Sequence, residues 1–507
     1  MKPATFDADN YASTRRNAAA TGRLSRPSVA LFRPRNRGVC QEEAGGKQNG
    51  RPMMNRSFNS GKSVAVTRRG ILKTGLGLGA AGLLTPLTAP HVWAKTYPTM
   101  GTFPEGIKGS TVFAAGLFPI TGPYASLGND EKLGFELAIE HLNNGSQVTE
   151  AVPSLKKGGG VLGKKVISGI ADSQTHSNPA VQGATRFIDS NNAMVMTGAI
   201  SSAIAVALEE LGQRKKVIYM GDVTASNATT GKNCQRFGFR LMPDNYMLCQ
   251  ALAPVLAKAL GHNLKAAYLV PDYTFGTSLY TSLTNAFAKY GWTSATEQLA
   301  PLGTTDFTSY LLNIANSGAN VMFNETVGAD EVTSTKQAVQ FGIMKKMKFV
   351  IPLLSPFIYK SMGPEVLGGM YGTMPWYWGM QEKFPLAKSF VADFHKKFNY
   401  IPRFCAAQCY NNMILWADAA ERAGTFYPPE VIKALESGYK VDTIAGPVWF
   451  RAEDHQGVSP VPVVQGKTAS EIHGDADNYK LVEIVSGETI MEPLKDTGCH
   501  MPSTAAA

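Results

Sequence analysis

The stretch "TVFAAGLFPITGPYASLGNDEKLGFELAIEHLN", residues 111–143, reads as a buried strand, a loop and a helix. Its first ten residues are almost wholly apolar, as in a strand covered on both faces. Further on, Phe135, Ala138, Ile139 and Leu142 fall at i, i+3, i+4 and i+7, which makes one buried helical face. The same alternation continues outward. Strands are expected at "KKVISGIAD" (164–172), "AMVMTGAI" (193–200) and "VIYMGDVTA" (217–225), with helices at "NPAVQGATRFID" (178–189) and "SAIAVALEELGQR" (202–214). Strands that alternate with helices build a parallel sheet with crossover helices, so the fold class is α/β. After Asp244 the rhythm restarts. Helices are expected at 246–260, 275–291, 307–318 and 331–343, and strands at "KAAYLVPD", "NVMFNE" and "KFVIPLL". Two helices (385–399 and 406–424) and short strands at "GPVWF" and "YKLVEIV" complete the chain, and "GSQVTEAVPSLKKGGGVLGKK" (145–165) reads as a surface loop or hairpin. A restart of this kind, in roughly 410 residues after the leader described next, implies two lobes.

The N-terminal part has a different character. "GLGLGAAG" (75–82) has the spacing of a dinucleotide-binding loop, but no apolar strand precedes it and no acidic residue follows at the ribose distance. "TRRGILK" precedes it instead, and an uncharged run to Ala94, broken by Pro86 and Pro90, follows. Paired arginines, a weakly hydrophobic stretch and small residues at Val92 and Ala94 make an export leader of the twin-arginine type, cut after Ala94. Glycine and proline dilute the run too far for a membrane anchor. Residues 1–66 are basic and poor in apolar side chains and read as disordered, with Met53 or Met54 as possible true starts. Residues 1–95 hold 16 of the 49 Lys and Arg and 4 of the 39 Asp and Glu, so the rest carries 33 basic and 35 acidic residues. The overall +10 is therefore a property of the leader, and the remainder has no basic footprint for nucleic acid.

In register along the chain, "GLFPITGPYASLGNDEKLGFELAIEHLN", "DSQTHSNPAVQGATRFI", "TGAISSAIAVAL", "VPDYTFGTSL" and "KQAVQFGI" resemble the leucine/isoleucine/valine-type solute-binding proteins of ABC importers. The resemblance runs from about Thr111 to the C-terminus. It implies a class I periplasmic binding protein, with two Rossmann-like lobes of parallel sheet joined by three crossover segments, a ligand clamped between them, and a closed form that docks on an inner-membrane permease. The lobes are expected as 107–243 plus 377–447 and 244–376 plus 448–507, after a leader over 1–94. The resemblance also places a disulfide between Cys234 and Cys499, since "TTGKNC" and "DTGCHM" match a subgroup with cysteines at both places. Cys405 and Cys409 read as small buried residues on one helix.

In an open parallel sheet the ligand lies beyond the carboxyl ends of the strands, where helix N-termini present free N–H groups. "AISSA" lies at such an end, so Ser201 and Ser202 are candidate carboxylate donors, although either alone also suits a helix cap. The resemblance adds Thr224, Ala225 and Ser226 on the next loop, Tyr124 and Leu127 on the first, and Tyr273 with Phe275 across the cleft. Trp376, Tyr377 and Trp378 either line the cleft or pack the hinge. Where amino-acid-binding members of the family present a glutamate to the ligand ammonium, this chain has Leu353, Leu354 and Ser355. A buried ammonium without a carboxylate costs several kcal/mol. Either Glu325 or Asp330 replaces it, with Glu325 also readable as an exposed strand-end acid, or the ligand has no ammonium. The ligand classes open are branched-chain or aromatic amino acids, organic acids and small amides.

No H-E-x-x-H, G-x-S-x-G, P-loop or C-x-x-C is present, which argues against the alternative of an exported enzyme. His473, Asp475 and Asp477 break the calcium-loop spacing and read as a solvated turn. The expectation is a monomeric periplasmic binding protein without cofactor, metal or catalysis. A sensor reporting to a membrane receptor uses the same fold and is the second alternative.

Overall fold

The computed structural model describes residues 96–474 and 476–502. The leader expected over 1–94, with Arg68, Arg69 and the cut after Ala94, lies outside the described residues, as does Asp475.

Five strands, β1 (Thr111–Phe118), β2 (Lys165–Asp172), β3 (Val195–Gly198), β4 (Ile218–Gly221) and β5 (Gly238–Arg240), form a wholly parallel sheet in the order β2-β1-β3-β4-β5. Four more, β6 (Lys265–Pro271), β7 (Thr293–Ala300), β8 (Val321–Asn324) and β9 (Lys348–Val350), form a second parallel sheet in the order β7-β6-β8-β9. Then β10 (Tyr371–Thr373), β11 (Val441–Thr443), β12 (Gly446–Phe450), β13 (Gly457–Val458), β14 (Val461–Gly466) and β15 (Tyr479–Val485) make two small antiparallel sheets, β11-β12-β13 and β10-β14-β15. Two parallel sheets with flanking helices are the two-lobed α/β architecture the alternation implies.

Central β1 is buried from Val112 to Phe118, which matches its unbroken apolar run. The helix after it begins at Ala125 and not near Glu131, because "ASLGND" is already helical, and it buries Phe135, Ala138 and Leu142. That face packs on the helix Phe404–Ala423, buried from Phe404 to Ala420. Strands β5 and β7 went unread. The first is only three residues long, and β7, "TSATEQLA", is a mostly exposed edge that needs no apolar run. The segment 145–165 is more than a surface loop. It contains a short helix, Gln147–Ala151, opened by a Ser146–Thr149 capping box, and it buries Val148, Val152 and Val161.

The chain passes between the sheets after β5, after β10 and between β13 and β14. Past Val448, the strands β12 and β13 still pair with β11, and β14 is the first strand to pair with β10. Gln456 still bridges Arg240 at the end of β5, and Phe450 packs edge-on against Phe239. Only β14 and β15 join β10, and the tail then comes back to the first lobe, where Cys499 is bonded to Cys234. The pairing places a turn of the tail over a loop that carries cleft residues, so the constraint reaches the site. Cys249, Cys405 and Cys409 are buried free thiols.

Candidate functional site

The carboxyl ends of β1, β3 and β4 face those of β6, β8 and β9 across a cleft, and the turns leaving them shape its walls. The turn after β3 is forced by its backbone. Gly198 has φ +129, and a Cβ there would lie 2.3 Å from the Leu117 carbonyl oxygen, while Ala199 is held at φ 80. This turn delivers Ser201 to the N-cap of the helix Ser202–Lys215. Opposite, Gly328 has φ +68, and a Cβ there would stand 2.8 Å from the Tyr124 ring, so glycine lets the second lobe approach the first. Direct bonds join the lobes nearby, among them one from the Ala329 N–H to the Pro123 carbonyl at 3.2 Å and one between the hydroxyls of Tyr124 and Tyr273 at 2.7 Å. Burial first, then each other's proximity for Tyr124, pushes both phenol pKa values up, so both stay neutral donors and acceptors.

Between these contacts lies a cavity of about 20 Å³, room for roughly one water. From the first lobe Tyr124, Leu127, Ile200, Val223, Ala225 and Phe404 line it, from the crossover Met242, and from the second lobe Tyr273, Phe275, Val327 and Leu353. The two tyrosine hydroxyls are its side-chain polar groups, and no carboxylate is in the lining.

Residues 111–471 match the family profile described as periplasmic binding protein. The chain belongs to the periplasmic binding protein family. It is 26% identical over 298 residues to the Leu/Ile/Val-binding protein homolog 7 of Brucella abortus, covering 57% of this chain and 71% of that one. Among solved structures it is similar to a periplasmic binding protein from Burkholderia mallei, with TM-score 0.70, 23% identity and coverage of 77% of this chain and 98% of that one. It is also similar to a solute-binding protein of an ABC transporter from Rhodopseudomonas palustris in complex with 3,4-dihydroxybenzoic acid, with TM-score 0.65, 19% identity and coverage of 76% and 100%. These likenesses fix the fold as that of type I periplasmic binding proteins.

In this binding protein the expected site residues divide into two sets. Tyr124, Leu127, Ala225, Tyr273 and Phe275 line the cavity. Ser201, Ser202, Thr224 and Ser226 are buried just behind it. Ser201 occupies the N-cap without a side-chain cap bond. Ser202 Oγ accepts the Ser226 N–H at 3.2 Å, and Ser226 Oγ bonds Thr274 Oγ1 of the second lobe at 2.9 Å, so the serines stitch the two loops and the lobes together. Thr224 Oγ1 is buried without a partner in the structure.

Glu325 requires a correction. It is neither exposed nor in the cavity: at 1% exposure its carboxyl lies in the second-lobe interior, close enough to Cys249 and Tyr268 to raise their pKa values, and burial pushes its own well up. Asp330 is outside the lining too, its Oδ2 accepting the Gly303 N–H at 2.8 Å. Glu331, one residue on, went unread. It is buried, with Oε1 accepting the Ser355 N–H at 3.4 Å and Oε2 unpartnered, and burial raises its pKa well above the carboxylate range. Ile200, Val223, Met242, Val327 and Phe404 were also missed, because apolar lining residues are indistinguishable in sequence from core.

Behind the first-lobe wall, the carboxyls of Glu131 and Asp222 are both fully buried and lie close enough for each to act on the other's titration. Glu131 follows Leu127 by one helical turn, and Asp222 Oδ1 accepts the Val223 N–H at 3.0 Å, so each supports a lining residue. Burial raises Asp222 from 3.8 to about 6 and Glu131 well above its usual 4.5. Between these Asp222 values the folded protein keeps a proton that the unfolded chain has lost, so stability falls as pH rises through about 4 to 6, by roughly 3 kcal/mol for this group. Asp222→Asn, neutral throughout and still able to accept from Val223, loses that slope. Urea unfolding of both proteins from pH 4 to 7 checks this; parallel stability curves refute the raised Asp222 carboxyl.

Proposed function

We propose that the protein is the periplasmic solute-binding component of an ABC importer, which clamps a small carboxylate lacking an ammonium group. The observation that carries this reading is the lining of the interlobe cavity: two neutral tyrosine hydroxyls, apolar side chains and Leu353, with no carboxylate. An ammonium brought there stays unpaired, at a cost of several kcal/mol. A ring or aliphatic body with one carboxylate suits the apolar walls, with Ser201, Ser202 and the N-terminus of their helix as the acceptor of its charge. The 3,4-dihydroxybenzoic acid held by the similar Rhodopseudomonas palustris protein supports this class. Ligand enters an open form, separates Tyr124 from Tyr273 and takes over their hydroxyls, and then holds the lobes together by contacting both. "TRRGILK" supports export of the folded protein by the twin-arginine route, and the chain acts as a monomer that presents its closed face to an inner-membrane permease.

A thermal-shift screen of the chain from Lys95 tests the reading, with benzoate-type and branched aliphatic acids set against the matching amino acids and amides. At a hundredfold excess over Kd a true ligand adds about 2.7 kcal/mol, visible as a rise in Tm. The rise is expected with acids, and Ser202→Ala is expected to reduce it. A rise with leucine and not with its deaminated acid overturns the ammonium-free ligand and points to Glu331 as the missing carboxylate.

A further inference from the structure

Beside the interlobe cavity, and sharing only Phe404 with its walls, lies a much larger cleft of about 1030 Å³. It is bounded by the crossover residues Trp376, Tyr377 and Trp378, by the first-lobe segment His395–Phe404, and by second-lobe residues including Tyr359 and Tyr479. The polar atoms of its aromatic side chains are already engaged. Trp376 Nε1 donates to the Ile444 carbonyl at 3.0 Å, Trp378 Nε1 to that of Ala476 at 2.8 Å, and the Tyr377 hydroxyl to that of Tyr479 at 2.9 Å. Tyr400 donates to Asp130 at 2.6 Å, Tyr479 to the Ser355 carbonyl at 3.4 Å, and Tyr359 to the Lys467 carbonyl. The partly exposed rings of Trp378 and Tyr400 therefore offer the cleft apolar surface, and the buried Trp376, Tyr377, Tyr359 and Tyr479 back them.

Arg403 is the exception. Its guanidinium lies 4.0 Å above the Phe357 ring and 5.3 Å from that of Tyr400, and among the described residues no hydrogen bond or ion pair engages it. Asp130 feels its charge, but the Asp130 oxygens accept from Tyr400 and from the Ala406 N–H. The other charged lining groups are Lys360 and Asp477, the latter paired with Lys467 at 2.6 Å, and the imidazoles of His395 and His473 also line the cleft. A planar cation whose fork of donors is unengaged, set among aromatic walls, is built for a flat anion: the fork takes a carboxylate in bidentate fashion, and the rings take the body.

We propose that this cleft is a second small-molecule site, selective for planar aromatic carboxylates of about two fused rings, with Arg403 as the carboxylate anchor. Its walls come from both lobes, so an occupant favours the lobes' contact independently of what the smaller cavity holds.

The test titrates 2-naphthoate into the chain from Lys95, by calorimetry and by tryptophan fluorescence. Saturable binding is expected, weakened roughly tenfold or more in Arg403→Gln, with only partial recovery in Arg403→Lys, whose ammonium lacks the fork. Trp378→Phe is expected to diminish the fluorescence change while the heat of binding persists, which places the ring in this cleft. The neutral 2-naphthamide binds at least tenfold more weakly. An unchanged melting temperature in Arg403→Gln separates loss of the anchor from loss of the fold. Should that variant be less stable, the naphthoate to naphthamide ratio in wild type decides alone. The proposal is overturned if 2-naphthoate fails to bind, if Arg403→Gln binds it as wild type does, or if Ser202→Ala abolishes binding and so assigns it to the interlobe cavity.

Discussion

Replacing Arg240 by methionine lowers the unfolding free energy by about 3–5 kcal/mol, the usual cost of removing one partner from a buried charged network. Arg240 is fully buried at the end of β5. Nε donates to Gln456 Oε1 at 2.8 Å, one terminal nitrogen to the Ser226 carbonyl, and the other to Thr230 Oγ1 at 2.5 Å and Asp244 Oδ2 at 3.3 Å. One side chain thus holds the loop that bears Thr224, Ala225 and Ser226, the N-cap of the helix that opens the second lobe, and the segment leading into the third crossover. Methionine fills much of the space but leaves Asp244 and Gln456 without their cation. Guanidinium unfolding monitored by circular dichroism reads the loss. A change below about 1 kcal/mol shows that the network relaxes, and the hub role fails.

Serine at both Cys234 and Cys499 costs about 3–5 kcal/mol, mostly through the unfolded chain. The two cysteines are 265 residues apart, so the bond removes a large loop-closure entropy from the denatured ensemble. Native contacts at the tail are modest by comparison: Arg236 Nε donates to the Pro502 carbonyl at 3.4 Å, and Cys499 N–H to Thr497 Oγ1. Reduction of the wild type is expected to reproduce the double variant, and the two unfolding midpoints are the comparison. If the oxidised protein and the double serine variant unfold together, the tail is held by its contacts and the bond adds nothing.

What could be read from sequence follows from how strongly each element depends on local pattern. Central strands and amphipathic helices declare themselves through burial, as β1 and the helix after it do. Strands β5 and β7 are held by neighbours the sequence does not name. At the site, Tyr124 and Tyr273, loop residues next to strand ends, meet each other across the cleft. Glu325 does not reach the cleft, because side chains alternate at a strand end and a single step turns a residue from the cleft into the lobe interior. Phe404 and Arg403 reach the cleft from a helix far along the chain, where no local signal marks them. The acid pair Glu131–Asp222 lies 91 residues apart, and only the packing of two first-lobe elements brings the two carboxyls close enough to act on each other.

The bond from Cys234 to Cys499 also changes the topology of the molecule. Everything between those positions, β5 to β15 with all three passages between the sheets, becomes a covalent ring from which the N-terminal half of the first lobe extends. A ring survives one cut. Cleavage of an exposed connection within it, such as the turn at 301–306, leaves a single molecule whose two new ends are still tethered through the other arc. The halves of the clamp therefore stay at high effective concentration for each other after a nick that divides an open chain of the same fold.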